Sequence, residues 1–273
     1  PRRRGAPPAA AAARANVTYP SVRFGDDSGA AWAKLTPMCG IVGYVGQPGA
    51  VDRQYYALDV VLEGLRRLEY RGYDSAGVAV VAEGAVEHRK KPGKVAALDA
   101  ELEASPLPHS ILGIGHTRWA THGGPTDPNA HPHVVDNGRL AVVHNGIIEN
   151  FSELKNELTQ RGYNFVSDTD TARDLTAAMR LTSRRLEGAF TLLAVHADHE
   201  DRIVAARRNS PLVIGVGDHE NFLGSDVSGF IDYTKQAVEM GNDQIVTITA
   251  EDYEITDFEG NRAEGKPFEV KWD

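Results

Sequence analysis

Met38-Cys39-Gly40-Ile41-Val42-Gly43-Tyr44-Val45-Gly46 is the stretch where a strand-forming pattern begins in this 273-residue chain. Ile41, Val42 and Val45 favour a strand, and the interleaved glycines let another backbone or side chain approach closely. Downstream, Leu58, Val61, Leu62, Leu65 and Leu68 recur at helical spacing within Ala57 to Tyr70, with Glu63, Arg66 and Arg67 turned outward. Gly72 stops that helix, and Ala76 to Val81 reads as a buried strand. Further strands are expected at Ile111 to Ile114 and Leu140 to Val143, and helices at Phe151 to Leu158 and Ala172 to Leu186. After Gly188 the pattern predicts strands at 189–195, 203–206, 212–216, 221–224, 245–249 and 253–258, with a last one near 268–272. Many strands, short connections and clustered helices give an α+β fold with antiparallel sheets covered by helices.

Upstream, the character changes. Residues 1–37 carry six basic and two acidic groups, so net +4, and hold a low-complexity run from Pro7 to Ala13. They read as a disordered leader or as sequence ahead of a true start at Met38, with a transit peptide as a further reading. The whole chain has 29 Lys+Arg against 38 Asp+Glu, which leaves the part from Met38 onward at −13. This acidic balance argues against nucleic acid as a partner. No stretch approaches the ~18 consecutive apolar residues of a transmembrane helix, and membrane partners are not expected. At 41% hydrophobic and 25% charged residues, the composition is that of an ordinary globular protein.

Cys39 is the single cysteine, which excludes an intrachain disulfide and a Cys-rich zinc site. It reads either as a buried structural thiol or as a nucleophile. In the second reading, removal of Met38 frees the Cys39 α-amino group, whose ordinary pKa near ~7.7–8.0 lets it take the thiol proton at neutral pH. Asn145-Gly146 likewise has two readings: a hairpin turn, which Asn-Gly signals strongly, or a pair of N–H donors for an oxyanion. His116, His122, His131, His133 and His144 crowd into 29 positions. Without an acid or cysteine at ligand spacing they read as loop histidines rather than metal ligands, and no metal or other cofactor is expected.

Six motifs in fixed order carry a family resemblance: Cys39 to Gly43, Leu65 to Gly77 (LRRLEYRGYDSAG), His116 to Gly123 (HTRWATHG), Asn129 to Val134, His144 to Asn150 (HNGIIEN) and Ser167 to Thr171 (SDTDT). Together they closely resemble the glutaminase domain of glutamine–fructose-6-phosphate aminotransferase (isomerizing), the glucosamine-6-phosphate synthase family. The resemblance implies a four-layer αββα N-terminal-nucleophile hydrolase sandwich of two antiparallel sheets over residues 38–260, with 261–273 opening a linker. It implies that Cys39 attacks the side-chain amide of L-glutamine, that Asn145 and Gly146 form the oxyanion hole, and that Arg118 and Asp170 hold the substrate α-carboxylate and α-ammonium. Thr121 and His122 would belong to a closing loop, Trp119 would gate ammonia, and Arg71 would lie near the nucleophile. A cytoplasmic homodimer is the family's usual state.

Three departures qualify that picture. Residues 1–37 would block the required amino terminus. The interval from Thr171 to Gly188 is short, with Ala172 where the family usually has Glu. The sequence also ends at Asp273, where the family continues into two sugar-phosphate isomerase domains, so fructose 6-phosphate would bind only through those. The alternatives are a glutamine-binding regulatory module without hydrolysis and an amidophosphoribosyltransferase-type glutaminase.

Overall fold

The computed structural model describes residues 39–47, 56–119, 126–160 and 175–271. In chain order the elements are β1 (Gly40–Gly46), α1 (Ala57–Leu68), β2 (Ser75–Ala82), β3 (Ala85–Pro92), α2 (Val95–Ala104), β4 (Leu112–Arg118), β5 (His133–Val135), β6 (Leu140–Ile148), α3 (Phe151–Gln160), α4 (Leu175–Ser183), β7 (Gly188–His196), β8 (Ile203–Arg208), β9 (Val213–Val216), β10 (Glu220–Gly224), β11 (Gln236–Glu239), β12 (Gln244–Ile248), β13 (Tyr253–Asp257) and β14 (Lys266–Glu269). They build an eight-stranded sheet in the order β14-β11-β9-β10-β1-β4-β2-β3 and a six-stranded sheet in the order β13-β12-β8-β7-β6-β5. Every strand pair among the described residues is antiparallel.

β1 shows why its sequence lacks the polar alternation of a half-exposed strand. It is buried along its whole length. Ile41 and Val45 join the core between the sheets, together with Ala79, Ile114, Val143, Leu193 and Ile203. Gly43 is on that side too, where a Cβ would come within 3.0 Å of Leu193 and 3.1 Å of Ile203. Val42 faces the other way, onto α1, close enough that a Cβ on Gly64 would lie 2.9 Å from it. A strand covered on both faces must be apolar on both. α1 and α2 cover the outer face of the larger sheet, and α4 covers the smaller one through Leu175 and Met179 against Val204, Ala206 and Ile245. The result is the expected four-layer αββα sandwich.

The apolar stripe of α1 is rotated slightly from the expected one. Val60 and Ala57 are fully buried, whereas Leu58 is only half-buried. The expected strand at 111–114 extends to Arg118 and the one at 140–143 runs through to Ile148. Asn145-Gly146 is therefore not a hairpin turn: both residues sit inside β6, paired with Thr191 and Phe190 of β7. Pairing along all of β7 overrides the local turn signal. The segment 261–273, expected to open a linker, contributes β14 to the edge of the larger sheet. Of the helix expected at 172–186, Leu175–Ser183 is helical, ending three residues before the expected end at Leu186 with a turn at 184–185; positions 172–174 lie outside the described residues.

Candidate active site

Two neighbouring strands of the larger sheet and one strand of the smaller sheet converge on Cys39. The β1–β4 register pairs Gly40 with Thr117, so Cys39 arrives beside the end of β4 at Arg118 and Trp119. Gly40 permits this approach: a Cβ there would lie 2.6 Å from Thr117 Oγ1 and 2.8 Å from Leu68 Cβ. The Trp119 N–H donates to Cys39 Sγ at 3.2 Å, and the thiol donates back to the Trp119 carbonyl at 3.7 Å. That peptide is itself held. The Asp74 N–H donates to the Arg118 carbonyl at 2.9 Å, and a Cβ on Gly72 would lie 2.8 Å from both Arg118 C and Trp119 N. The Trp119 ring meets Tyr73 edge-on, with centroids 5.4 Å apart.

Burial pushes the Cys39 thiol above its ordinary pKa. The hydrogen bond from Trp119 and the positive charges of Arg118 and Arg71 work against that rise. Arg71 follows the end of α1 and reaches Ser225 O at 3.4 Å and Asp226 Oδ2 at 3.5 Å. Ser225 in turn ties to β1, accepting from the Ile41 N–H at 3.0 Å and donating its own N–H to the Ile41 carbonyl at 3.1 Å.

From the smaller sheet, Asn145 Nδ2 donates to the Cys39 carbonyl at 2.8 Å. Gly146 beside it has φ +106°. The structure thus brings Cys39, Arg71, Arg118, Trp119, Asn145 and Gly146 together. Thr121, His122 and Asp170 lie outside the described residues.

Behind Asn145 sits a cluster that the sequence reading placed in loops. His116 is in β4, His133 in β5 and His144 in β6. The His131 ring lies 4.4 Å from His116 and 4.3 Å from His133, centroid to centroid. Strand pairing rather than loop solvation sets their environment, and desolvation is the first cause of each depressed pKa. His116 is lowered to about 3 and His144 to about 4, with the neighbouring imidazoles adding to the effect; His131 and His133 are lowered too. Among the described residues no three His, Cys, Asp or Glu side chains are grouped to hold a metal ion.

These histidines carry a pH prediction. A folded pKa of about 3 or 4 lies below the ordinary 6.5, so between those values the unfolded chain binds more protons than the folded one. Stability is therefore full above about pH 6.5 and is lost as pH falls toward 4. His116 and His144 together are expected to cost on the order of 5 kcal/mol at pH 4. Urea midpoints measured from pH 7 to pH 4 check this, and a flat profile over that span would show the cluster is hydrated.

Comparison with known proteins adds three findings. Residues 103–260 match the family model described as a glutamine amidotransferase domain. The glutamine–fructose-6-phosphate aminotransferases [isomerizing] of Corynebacterium diphtheriae and Corynebacterium glutamicum are 74% and 72% identical over 86% of this chain, and that of Streptomyces coelicolor is 56% identical over the same share. The chain spans about 40% of the length of these curated relatives. Among solved structures, the glutamine phosphoribosylpyrophosphate amidotransferase from B. subtilis superposes with a TM-score of 0.67 at 22% identity, covering 82% of this chain and 50% of that one. That likeness is one of fold.

Proposed function

Because the chain belongs to the glutamine amidotransferase domain family, we propose that it releases ammonia from L-glutamine through a thioester on Cys39. One observation carries the reading: a lone thiol at the start of a central strand, with the Asn145 amide donating to the same residue's carbonyl and Gly146 adjacent. The active form begins at Cys39. Its α-amino group takes the Sγ proton as sulfur attacks the amide carbon, which answers the raised thiol pKa. Asn145 Nδ2 has two hydrogens. One is held by the Cys39 carbonyl, and the other, with the Gly146 N–H, receives the developing oxyanion. The carbon–nitrogen bond breaks, the amine returns its proton, and ammonia leaves. Water then cleaves the thioester to glutamate and the free thiol.

A zwitterionic substrate needs one fixed cation and one fixed anion. Arg118, whose charge acts on Cys39, suits the α-carboxylate through its planar fork, and Asp170 is assigned the α-ammonium. Thr121, His122 and Trp119 are assigned to the closure that keeps water out and ammonia in, and Arg71 to holding the nucleophile's surroundings. The high identity to the aminotransferases supports a place as the glutamine-processing part of a longer cytoplasmic, homodimeric enzyme, in which fructose 6-phosphate is the ammonia acceptor on domains beyond this sequence. Residues 1–37, and Met38 after them, are proposed to be absent from that enzyme.

The test compares a chain that begins at Cys39 with one that keeps the residues ahead of it. The first releases ammonia from glutamine and the second does not; equal rates would sink the role of the amine. Arg118→Ala is expected to raise KM for glutamine by about 10²-fold or more, a loss of roughly 3 kcal/mol for a charged bidentate contact. An unchanged KM would place the carboxylate elsewhere.

A further inference from the structure

His116 is assigned no step in the reaction proposed above, yet it is buried and meets the Asn145 side chain directly. Its Nε2 is 2.9 Å from Asn145 Oδ1 and 3.0 Å from the carbonyl oxygen of His144. A carbonyl oxygen can only accept, so the Nε2 that faces it must carry the hydrogen. The same N–H then points at Asn145, and the only asparagine atom that can receive it is Oδ1. A side-chain amide has two orientations related by a half-turn, nearly equal in shape and opposite in polarity. In the flipped orientation the Asn145 NH2 would face the His116 N–H, and Oδ1 would face the Cys39 carbonyl. Two donors would meet on one side and two acceptors on the other.

We propose that His116 is a positioning residue that fixes the Asn145 amide in the orientation whose Nδ2 faces Cys39. The β1–β4 and β2–β4 registers hold His116 between Ile41 and Gly77, so its ring has a rigid frame. A Cβ on Gly77 would lie 2.1 Å from the His131 carbonyl oxygen, and the His131 ring stands 4.4 Å from that of His116, centroid to centroid. Burial keeps His116 neutral through the working range, so Nε2 remains the single N–H of the ring. The donor toward the oxyanion is therefore selected one residue behind the one that provides it.

The inference rests on the glutaminase reading, and the experiment separates the two. In the chain beginning at Cys39, His116→Leu removes the donor, while His116→Gln places an amide N–H near the position of Nε2. His116→Leu is expected to lower kcat by roughly 10- to 10²-fold, a share of the ~10²–10³ attached to an oxyanion donor, with KM changed less than about threefold. His116→Gln recovers most of that loss. In an Asn145→Ala background, His116→Leu costs less than about threefold further, because the amide it orients is gone. An equal loss in both backgrounds, or a Gln variant no better than Leu, overturns the proposal. A wild-type chain without glutaminase activity sinks the functional reading instead. Long-range proton–nitrogen spectra of histidine-labelled wild-type protein still decide the positioning claim: hydrogen on Nε2 of His116 is expected, and hydrogen on Nδ1 overturns it. That readout needs neither turnover nor a folded variant.

Discussion

Cys39→Ala, in a chain that begins at residue 39, is expected to reduce ammonia release from glutamine by roughly 10⁴-fold or more while the protein still folds. The size follows from the chemistry. Without sulfur there is no atom to form the thioester, and the amine alone has no bond to make with the substrate. The survival of the fold follows from the geometry. Sγ hydrogen-bonds to the Trp119 peptide, and the strand that carries it is held by the ladders to β4 and β10 and by the core through Ile41 and Val45. Loss of the thiol is expected to change stability by no more than about 1–2 kcal/mol. Ammonia release and a thermal melt on the same sample make the test. A variant as active as wild type would remove Cys39 from the reaction, and one that is merely unfolded would show it in the melt.

Gly146→Ala is expected to have the second largest effect, and here the backbone decides. The residue has φ +106°, a conformation costly for any side chain. A Cβ would also lie 2.0 Å from the Ala189 carbonyl oxygen, 2.8 Å from its carbon and 3.0 Å from Phe190 Cα. All three are backbone atoms of β7, the partner strand, so no rotamer change can relieve the clash. β6 and β7 must separate at the point where Asn145 reaches across to Cys39. The expected cost is about 3 kcal/mol or more in urea unfolding. Because a displacement of about 1 Å at a reacting group can cost ~10² in rate, kcat should fall further than the folded fraction explains. A wild-type urea midpoint would refute the strand-crowding argument.

The readable parts of this fold are those where one physical signal dominates. α1 shows its stripe because one face packs on a sheet and the other meets water; only the edges of the stripe shifted, Leu58 outward and Val60 inward. β1 was legible because a strand covered on both faces must be apolar throughout. β3 was missed because it is an edge strand whose residues Glu87 to Lys91 are polar and mostly half-exposed, so it lacks a hydrophobic pattern. β5 and β11 are too short to show periodicity. α2 buries only Val95, Leu98 and Leu102, a stripe too narrow to stand out. Asn145-Gly146 misled the local reading because turn chemistry is a short-range signal, whereas its place in β6 is set by nine paired positions along β7. At the site, the recurring motifs pointed to Cys39, Arg118 and Asn145. The part played by His116 could not be read from them, because it depends on which ring nitrogen meets which oxygen across two sheets.

The crowding at Gly72 has a consequence for how this protein can vary. A Cβ on that residue would fall on the Arg118–Trp119 peptide, the same unit whose N–H reaches sulfur. Position 72 touches no substrate in the proposed reaction, yet the smallest side chain added there would push on the link that sets where the thiol lies. Mutational drift at a position on the far side of that peptide is thereby restricted by a reaction it takes no part in, and a library built by randomising this turn is expected to lose members that displace the peptide beside the sulfur.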